Sequence, residues 1–315
     1  MKRAASFAAA ATGIAVAAVS LLTARSTRNA ERTVPQDGEI IDIDGQPLHV
    51  AQEGAGPPLI LIHGLGGQMR NFAPALVADL ARDYRVIRVD RPGSGYSPRA
   101  RGQSANLPAQ AKVIAGLIDK LGLEKPTLVG HSLGGALSLT VAVLHPDKVG
   151  RLLLIAPAAQ LIGTVPSAFK GLQVPPAMRR MIGMTIAVPL AHLTADATLE
   201  QVFRPEPVPD TFLSEGGGAL GFRPAAFEGA SADLAEAEEG MAEIVAGYGA
   251  LRMPTAILYG REDNILDYRV HGERTVDEIP GATLTLVDGG HMLPFTQPEL
   301  TAAWMRKALA EPAHG

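Results

Sequence analysis

The sequence predicts an α/β protein built on a mostly parallel sheet. Short apolar runs rich in Leu, Ile and Val recur along the chain and alternate with stretches of helical period. Gly or Pro bounds most of these runs, which is typical of strands buried on both faces between layers of helices. With 315 residues, of which 47% are hydrophobic, the chain is long enough to bury one large core.

The predicted strands follow one another along the chain. An antiparallel hairpin comes first, over Glu39–Gly54, because Asp44 and Gly45 form a turn signal. Helices are predicted between later strands, for example over Leu107–Leu121 and Leu133–Leu144. The six buried strands are "PLILIHG" (Pro58–Gly64), "YRVIRVD" (Tyr84–Asp90), "PTLVG" (126–130), "RLLLIAP" (Arg151–Pro157), "PTAILYG" (Pro254–Gly260) and "ATLTLVDG" (Ala282–Gly289).

The stretch between the fourth and fifth of these strands is too long for one crossover and predicts an inserted helical cap. It holds a Met-rich helical stretch (Met178–Leu193), a glycine-rich loop (Gly216–Phe222) and an acidic helix (Ala232–Ala246). A separate small domain with no part in catalysis is the alternative. The predicted division of the chain is an N-terminal segment 1–32, a core 33–157, the cap 158–251 and the rest of the core 252–315.

The N-terminal segment predicts contact with a membrane. No charged residue occurs from Ala4 to Ala24, a run as long as a transmembrane helix needs and longer than the apolar region of most signal peptides. This favours an uncleaved anchor over an exported, cleaved signal, and either would place the protein in a bacterial cell envelope. Basic residues flank both ends, so orientation stays open, as does the oligomeric state. A polar linker is expected over Ser26–Gly38.

Composition excludes several classes of function. The formal net charge is −4 and the basic residues are scattered, so no surface for nucleic acid is predicted. There are no cysteines, which excludes disulfides, thiolate nucleophiles and Cys-based metal sites.

The motif Gly130-His131-Ser132-Leu133-Gly134 lies between a predicted strand and a predicted helix. A Gly-x-Ser-x-Gly sequence there is typical of a sharp, strained turn that exposes a nucleophilic serine. The helix that follows would aim its N-terminus at the site, so that the Leu133 N–H could bind a developing oxyanion. Leu65, after His63-Gly64, is the candidate for the second N–H donor.

A serine hydroxyl needs a base, and the base needs an acid that orients it. His291, after the last strand, is the candidate base, and Thr296 and Glu299 are spaced as a capping box that would fix its loop. His63 is expected to stabilise its own loop instead, and His131 to point away from the serine.

Asp263, after the Tyr259 strand, is the candidate acid, because it gives the chain order Ser, Asp, His. Glu262 adjoins it but should diverge from it. Asp267 is expected to begin the next helix, and Asp90 to brace its Pro-Gly loop.

These residues resemble the α/β-hydrolase family over roughly Glu39 to Ala310. The resemblance implies an eight-stranded, mostly parallel sheet, a cap after the sixth strand, the triad of Ser132, Asp263 and His291, and no cofactor or metal. Some family members carry aspartate in place of the serine, and the serine argues against their dehalogenase and epoxide-hydrolase activities. The motifs that carry the resemblance are, in the family's order, "HGLGG", "DRPGSGYS", "GHSLGG", "GREDNILD" and "GGHMLPFTQPE".

The expected activity is hydrolysis of a small carboxylic ester through an acyl-enzyme. Apolar residues over Met181–Leu193 suggest a lipophilic substrate, although packing inside the cap explains the same pattern. Family members also hydrolyse carbon–carbon bonds of dienoic diketones with this triad, so that reaction stays open. A ligand-sensing receptor on the same fold, or a membrane-anchored scaffold with an inert domain, is the alternative from another class.

Overall fold

The computed structural model describes residues 19–161 and 163–311, and in these residues helices cover both faces of one sheet. The strands are β1 (Glu39–Ile43), β2 (Gln46–Glu53), β3 (Pro58–Ile62), β4 (Arg85–Val89), β5 (Thr127–His131), β6 (Arg151–Ile155), β7 (Thr255–Gly260) and β8 (Thr283–Val287). The helices are α1 (residues 19–33), α2 (Pro74–Leu80), α3 (Leu107–Lys120), α4 (Leu133–Leu144), α5 (Pro176–Ile182), α6 (Val188–Phe203), α7 (Pro224–Glu236), α8 (Met241–Ala246), α9 (Arg274–Glu278), α10 (Leu293–Thr296) and α11 (Pro298–Ala310).

In the described residues the sheet has eight strands in the order β1-β2-β4-β3-β5-β6-β7-β8. All pairings from β4 to β8 are parallel, and the hairpin β1–β2 joins β4 in antiparallel pairing. Asp44 and Gly45 have φ of 51° and 84°, as the tight turn of this hairpin requires. The predicted hairpin, the six strands after it and the mostly parallel eight-stranded sheet are confirmed. Burial was wrongly expected for the last strand, because β8 lies at the end of the sheet and is half-exposed.

The continuous apolar runs follow from burial on both faces. Side chains of a strand point alternately to the two sides of the sheet. Ile60 and Ile62 of β3 therefore pack with α3 and α4 in one core cluster. Leu59 and Leu61 pack with α2 and α11 in the other. A strand in the middle of the sheet therefore needs apolar side chains at successive positions, and the alternation typical of a half-exposed strand is lost.

The cap segment between β6 and β7 is helical. The predicted Met-rich helix is part of one continuous helical stretch, in which the π-helical segment Gly183–Ala187 joins α5 to α6. The single acidic helix predicted over Ala232–Ala246 is wrong, because α7 ends at Glu236 and α8 begins at Met241. Gly240, with φ of 78°, separates the two helices.

The N-terminal segment is described only from residue 19, so most of the predicted anchor Ala4–Ala24 lies outside the described residues. The predicted linker Ser26–Gly38 is wrong in its first part, because α1 continues to residue 33. Ala30 and Val34 are buried in a cluster with Ala219 and Leu220 of the cap. Such tertiary contacts override the weak local preference of a polar stretch.

Candidate active site

The loops that follow β3, β5, β7 and β8 meet at the end of the sheet where the parallel strands have their carboxyl ends. Parallel strands bring their carboxyl ends together, so residues far apart in the sequence become neighbours there. A Cβ built on Gly64, after β3, would lie 2.9 Å from Ser132 Cβ and 3.3 Å from Ser132 Oγ. The serine side chain after β5 therefore lies against the first of these loops.

Ser132 occupies a strained turn. Its φ of 54° and ψ of −121° lie outside the regions that residues with a side chain favour. A Cβ at Gly130 would overlap the carbonyl oxygen of Gly134, and a Cβ at Gly134 would overlap that of Ile62. The Ser132 N–H donates to the carbonyl of Ile155 at 3.0 Å, which ties the turn to β6. The two glycines of the motif are thus needed for close packing around the serine.

His291 and Asp263 form a buried pair. His291 Nδ1 and Asp263 Oδ2 are 2.7 Å apart, and the other carboxylate oxygen accepts the N–H groups of Ile265 and Leu266 at 2.8 and 3.0 Å. A carboxylate accepts hydrogen bonds, so Nδ1 carries a proton and donates it to Asp263. Nε2 is then the ring nitrogen that could act as a base. His291 is 3% exposed and Ser132 is 8% exposed, so a reaction at these two side chains would take place away from bulk water.

His131 connects the serine turn to the His291 loop. Its Nε2–H donates to the backbone carbonyl oxygen of His291 at 2.9 Å, and the two ring centroids are 4.9 Å apart. Burial, with a smaller contribution from His291, lowers the pKa of His131 to about 3, so its ring stays neutral near neutral pH. His131 was expected to point away from Ser132. In the structure its ring packs against the imidazole of His291, the candidate base, and its Nε2–H binds the backbone of His291.

Two carboxylates hold the backbone just before His291. Glu206 of the cap accepts the Gly290 N–H at 3.1 Å, and Glu262 accepts the Gly289 N–H at 2.6 Å. From the sequence, Glu262 was expected only as a competing acid. Glu206 was not predicted, because no local motif marks a cap residue that reaches a distant loop. These bonds fix where the imidazole points.

The capping box expected from Thr296 and Glu299 is wrong. Thr296 Oγ1 donates to the carbonyl of Met292 at 3.2 Å, within the same short helix. The terminal helix α11 begins at Pro298, and no side chain caps it at Gln297. Proline supplies this helix start without a donor to satisfy, so the hydroxyl is not needed there.

The candidate oxyanion donors come from the start of α4 and from the loop after β3. Leu133 is the first residue of α4, where N–H groups have no acceptor within their own helix. Leu65 follows Gly64 in the loop after β3. As expected, His63 stabilises this loop, because Nδ1–H donates to the Gly64 carbonyl at 2.9 Å and Nε2 accepts the Arg91 N–H at 3.0 Å. Burial and the nearby guanidinium lower the pKa of His63 to about 3.

Arg91 is fully buried and joins this loop to the cap. Its guanidinium donates to the carbonyl oxygens of His63 and Gly64 at 3.0 and 2.9 Å. It also donates to Asp233 of α7 at 2.8 Å, and both side chains of this ion pair are inaccessible to solvent. Neither residue was predicted from the sequence, since no local pattern links a loop arginine to an aspartate 142 residues away.

The remaining candidate acids have structural partners. Asp90 accepts hydrogen bonds from His49 Nδ1 and from the Met69 and Tyr96 N–H groups, all at 2.8 Å. Asp267 accepts the Arg269 N–H at 2.9 Å, at the start of the π-helical segment Arg269–Glu273 that leads into α9. Their expected roles, bracing the Pro-Gly loop and beginning a helix, are confirmed.

Within residues 19–161 and 163–311, no group of three or more His, Asp or Glu side chains could hold a metal ion.

The fold resembles several solved hydrolases. The enol-lactonase from Burkholderia xenovorans LB400 superposes with a TM-score of 0.72 at 21% identity, covering 87% of this chain and 100% of that chain. A thermophilic esterase from Thermogutta terrifontis superposes with a TM-score of 0.70 at 25% identity, covering 86% of this chain and 98% of that chain.

Sequence relatives cover less of the chain. A 2-hydroxymuconate semialdehyde hydrolase of Pseudomonas sp. (strain CF600) is 36% identical over 132 residues, 41% of this chain and 47% of that protein. Esterase YbfF of Escherichia coli is 35% identical over 98 residues, 31% of this chain and 37% of that protein. The chain thus spans less than half the length of the curated relatives it matches. A family model described as alpha/beta hydrolase fold matches residues 57–298. This match, which covers most of the chain, shows that the protein belongs to the α/β hydrolase fold family.

Proposed function

We propose that the chain is a serine hydrolase that cleaves carboxylic esters through an acyl-enzyme intermediate. The observation that supports this most is the buried 2.7 Å contact between His291 Nδ1 and Asp263 Oδ2, in a loop bound to the strained turn of Ser132. A nucleophile, a base and an orienting acid are the three parts that this chemistry requires.

In the proposed reaction, Ser132 Oγ attacks the ester carbonyl while its proton passes to His291 Nε2. Asp263 keeps the ring oriented and stabilises the imidazolium, and the N–H groups of Leu65 and Leu133 bind the tetrahedral oxyanion. The carbon–oxygen bond then breaks, and His291 gives its proton to the leaving alcohol. A water molecule attacks the acyl-enzyme with the same base, which releases the carboxylic acid and restores the serine.

Carbon–carbon bond hydrolysis is the second candidate. Relatives of the chain are named 2-hydroxymuconate semialdehyde hydrolase and 2-hydroxy-6-oxo-2,4-heptadienoate hydrolase, at 36% and 35% identity over matches that cover 41% and 38% of this chain. The same three residues could serve either bond, so the residues of the triad do not choose between them. The choice of substrate in the experiment below therefore has to distinguish the two reactions.

We also propose that the protein acts on lipophilic esters in a cell envelope, attached to a membrane by its N-terminal segment. The uncharged run Ala4–Ala24 supports the attachment. The large side chains over Met181–Leu193, which suggested a lipophilic pocket or cap core, are mostly exposed on the cap. These side chains therefore do not line an enclosed pocket. They are placed to contact the surroundings from which the substrate comes.

The test is hydrolysis of p-nitrophenyl esters of increasing acyl length by the full chain in detergent. The full chain is used because α1 packs against the cap. Turnover that peaks at one chain length, vanishes in Ser132→Ala and survives in Ser167→Ala, an exposed cap serine, would support the proposal. A folded protein that hydrolyses none of the esters would contradict it. Cleavage of a dienoic diketone would then favour the second candidate, and a ligand released unchanged would favour a receptor.

A further inference from the structure

The cap carries an apolar face that no described part of the chain covers. Met181, Ile186 and Leu190 are 57%, 59% and 52% exposed, and Leu193 is 84% exposed. All four lie in the continuous helix Pro176–Phe203, which is long and apolar enough to span a membrane although only 17% of its most apolar window is buried. We call these four residues the cap face. A core helix of a soluble protein would bury such side chains.

The other side of this helix is packed. Gly183, Ala187 and Val188 are buried, and a Cβ on Gly183 would lie 3.1 Å from Glu228 Cγ of α7. The π-helical segment adds one residue to its turn. With that addition, the helical period places the cap face opposite these three buried positions. One side of the helix is therefore fixed on the protein and the other is apolar and exposed, which fits lying along a membrane surface and not crossing the membrane.

The polar groups on this stretch are compatible with lipid. No Asp, Glu, Lys or Arg occurs between Arg180 and Asp196. The hydroxyls of Thr185 and Thr194 donate to the carbonyl oxygens one turn earlier, those of Met181 and Leu190, at 2.6 and 3.1 Å. Both hydroxyls are thus satisfied inside the helix, and neither has to give up a bond to water in an apolar environment.

The N-terminal uncharged run ends beside the cap face. Ser26 Oγ donates to the Phe222 carbonyl at 3.0 Å, so the 2.8 Å contact of the same oxygen with His192 Nε2 has the histidine as donor. His192 lies between Leu190 and Leu193 in the sequence and stacks on Phe222 with centroids 4.2 Å apart. Ala24, the last residue of the run, is two residues before Ser26, about 3 Å along a helix. A membrane that holds the run thus meets the protein at the level of the cap face.

Basic side chains border the same region. Arg25 and Arg28 of α1 and Arg180 of α5 are exposed. They would lie where the headgroups of a bilayer begin, and anionic headgroups attract such residues. Asp196 and Glu200 are exposed further along α6, and they mark the end of the stretch that can enter an apolar layer.

We propose that the cap face lies in the interfacial layer of an anionic lipid bilayer, beside the N-terminal run, so that the cap over the candidate active site rests on the membrane. This inference rests on the membrane attachment put forward under the proposed function. It adds a second, independent contact, and it assigns the substrate to the pool of esters dissolved in that bilayer.

The absence of cysteine in the sequence makes the test direct. Single substitutions Leu193→Cys and Ile186→Cys introduce nitroxide labels on the cap face of the full chain. Leu144→Cys is the matched control, because Leu144 is also exposed but is the last residue of α4 and lies outside the helix that carries the cap face. The labelled proteins are floated with vesicles of equal parts phosphatidylcholine and phosphatidylglycerol, and collisions of the label with oxygen and with a water-soluble nickel chelate are measured.

The expected result is flotation of all three proteins, with oxygen collisions raised and nickel collisions lowered severalfold at residues 193 and 186 but unchanged at 144. Labels that stay as accessible to nickel as the control on floated protein would overturn the inference. So would shielding from both reagents without vesicles, since the N-terminal segment or a second copy would then cover the face. Failure of the chain to float at all would instead overturn the membrane attachment itself.

A second measurement separates the membrane contact from catalysis. The double variant Leu190→Glu/Leu193→Glu places two charges on the cap face and should raise the KM for an ester dissolved in vesicles severalfold. Its kcat/KM for a water-soluble short-chain ester should equal that of Leu144→Glu. Equal losses on both esters would show a general structural defect, and the cap face would then have no special part in reaching the lipid.

Discussion

The ion pair between Arg91 and Asp233 gives the most quantitative prediction. Asp233→Ala leaves the fully buried guanidinium without its carboxylate, and removal of one partner of a buried pair costs about 3–5 kcal/mol. Asp233→Asn keeps an acceptor but loses the charge, so the loss should be smaller, about 1.5–3 kcal/mol. A total stability of about 5–15 kcal/mol leaves such variants folded but measurably weaker.

The same substitution should also slow catalysis. Arg91 donates to the carbonyl oxygens of His63 and Gly64, directly before the candidate oxyanion donor Leu65. If the freed guanidinium shifts, this loop shifts with it, and loss of one oxyanion donor costs about 10²–10³-fold in kcat. We therefore expect Asp233→Ala to lower kcat by up to about 10²-fold with a smaller change in KM.

Urea unfolding and ester turnover, measured on the same samples, check both parts. The matched control is Asp119→Ala, which removes an exposed ion pair with Lys148 that should be worth about 0–1 kcal/mol. A loss of unfolding free energy in Asp233→Ala no larger than in the control would refute the reasoning about burial. A large loss of stability with unchanged kcat would show that the contact of Arg91 with the cap does not hold the loop after β3 that carries Leu65.

Three further results are expected. Asp263→Asn should lower kcat by up to about 10⁴-fold with the fold intact, because an amide no longer fixes the tautomer of His291. Gly290→Ala should lower kcat more than stability, because the new methyl group overlaps a cap carbonyl and displaces the loop before the base. Stability should fall below pH 6.5: the pKa of both His63 and His131 is lowered to about 3, so only the unfolded chain binds their protons between pH 6.5 and 3, at about 1.4 kcal/mol per pH unit each.

Each of these has a clear contrary outcome. An Asp263→Asn variant with more than a tenth of the parent kcat would remove that residue from the proposed mechanism. A Gly290→Ala variant with parental activity would show that the cap does not fix the loop. Urea unfolding midpoints that stay constant from pH 7 to pH 5 would show that the two histidines become protonated in the folded protein as easily as in the unfolded chain.

Much of the fold could be predicted because its signals are local. The apolar runs that became β3 to β7 lie in the part of the sheet that is buried on both faces, so each of these strands can be predicted from its own residues. The turn at Ser132 was equally visible, since Gly130 and Gly134 are needed within the same five residues. Reading the residues after each strand was enough to find Asp263 and His291, because parallel strands deliver their ends to one edge.

What the sequence did not reveal depends on contacts between distant segments. Glu206 and Asp233 act on the site from the cap, and α1 is held by Ala219 and Leu220, but none of these residues carries a local motif. The Met181–Leu193 pattern was ambiguous for the same reason. A helical stripe of apolar residues has the same period whether it faces a core, a pocket or a membrane.

The central claim is that Ser132 is a nucleophile activated by His291, and covalent trapping tests it most directly. The full chain in detergent is treated with diethyl p-nitrophenyl phosphate, and the intact mass and the modified peptide are measured. We expect one diethylphosphoryl group on Ser132, no adduct in Ser132→Ala and a much slower reaction in His291→Gln. A folded protein that remains unmodified, or that is modified at another residue at an equal rate in all three forms, would contradict it.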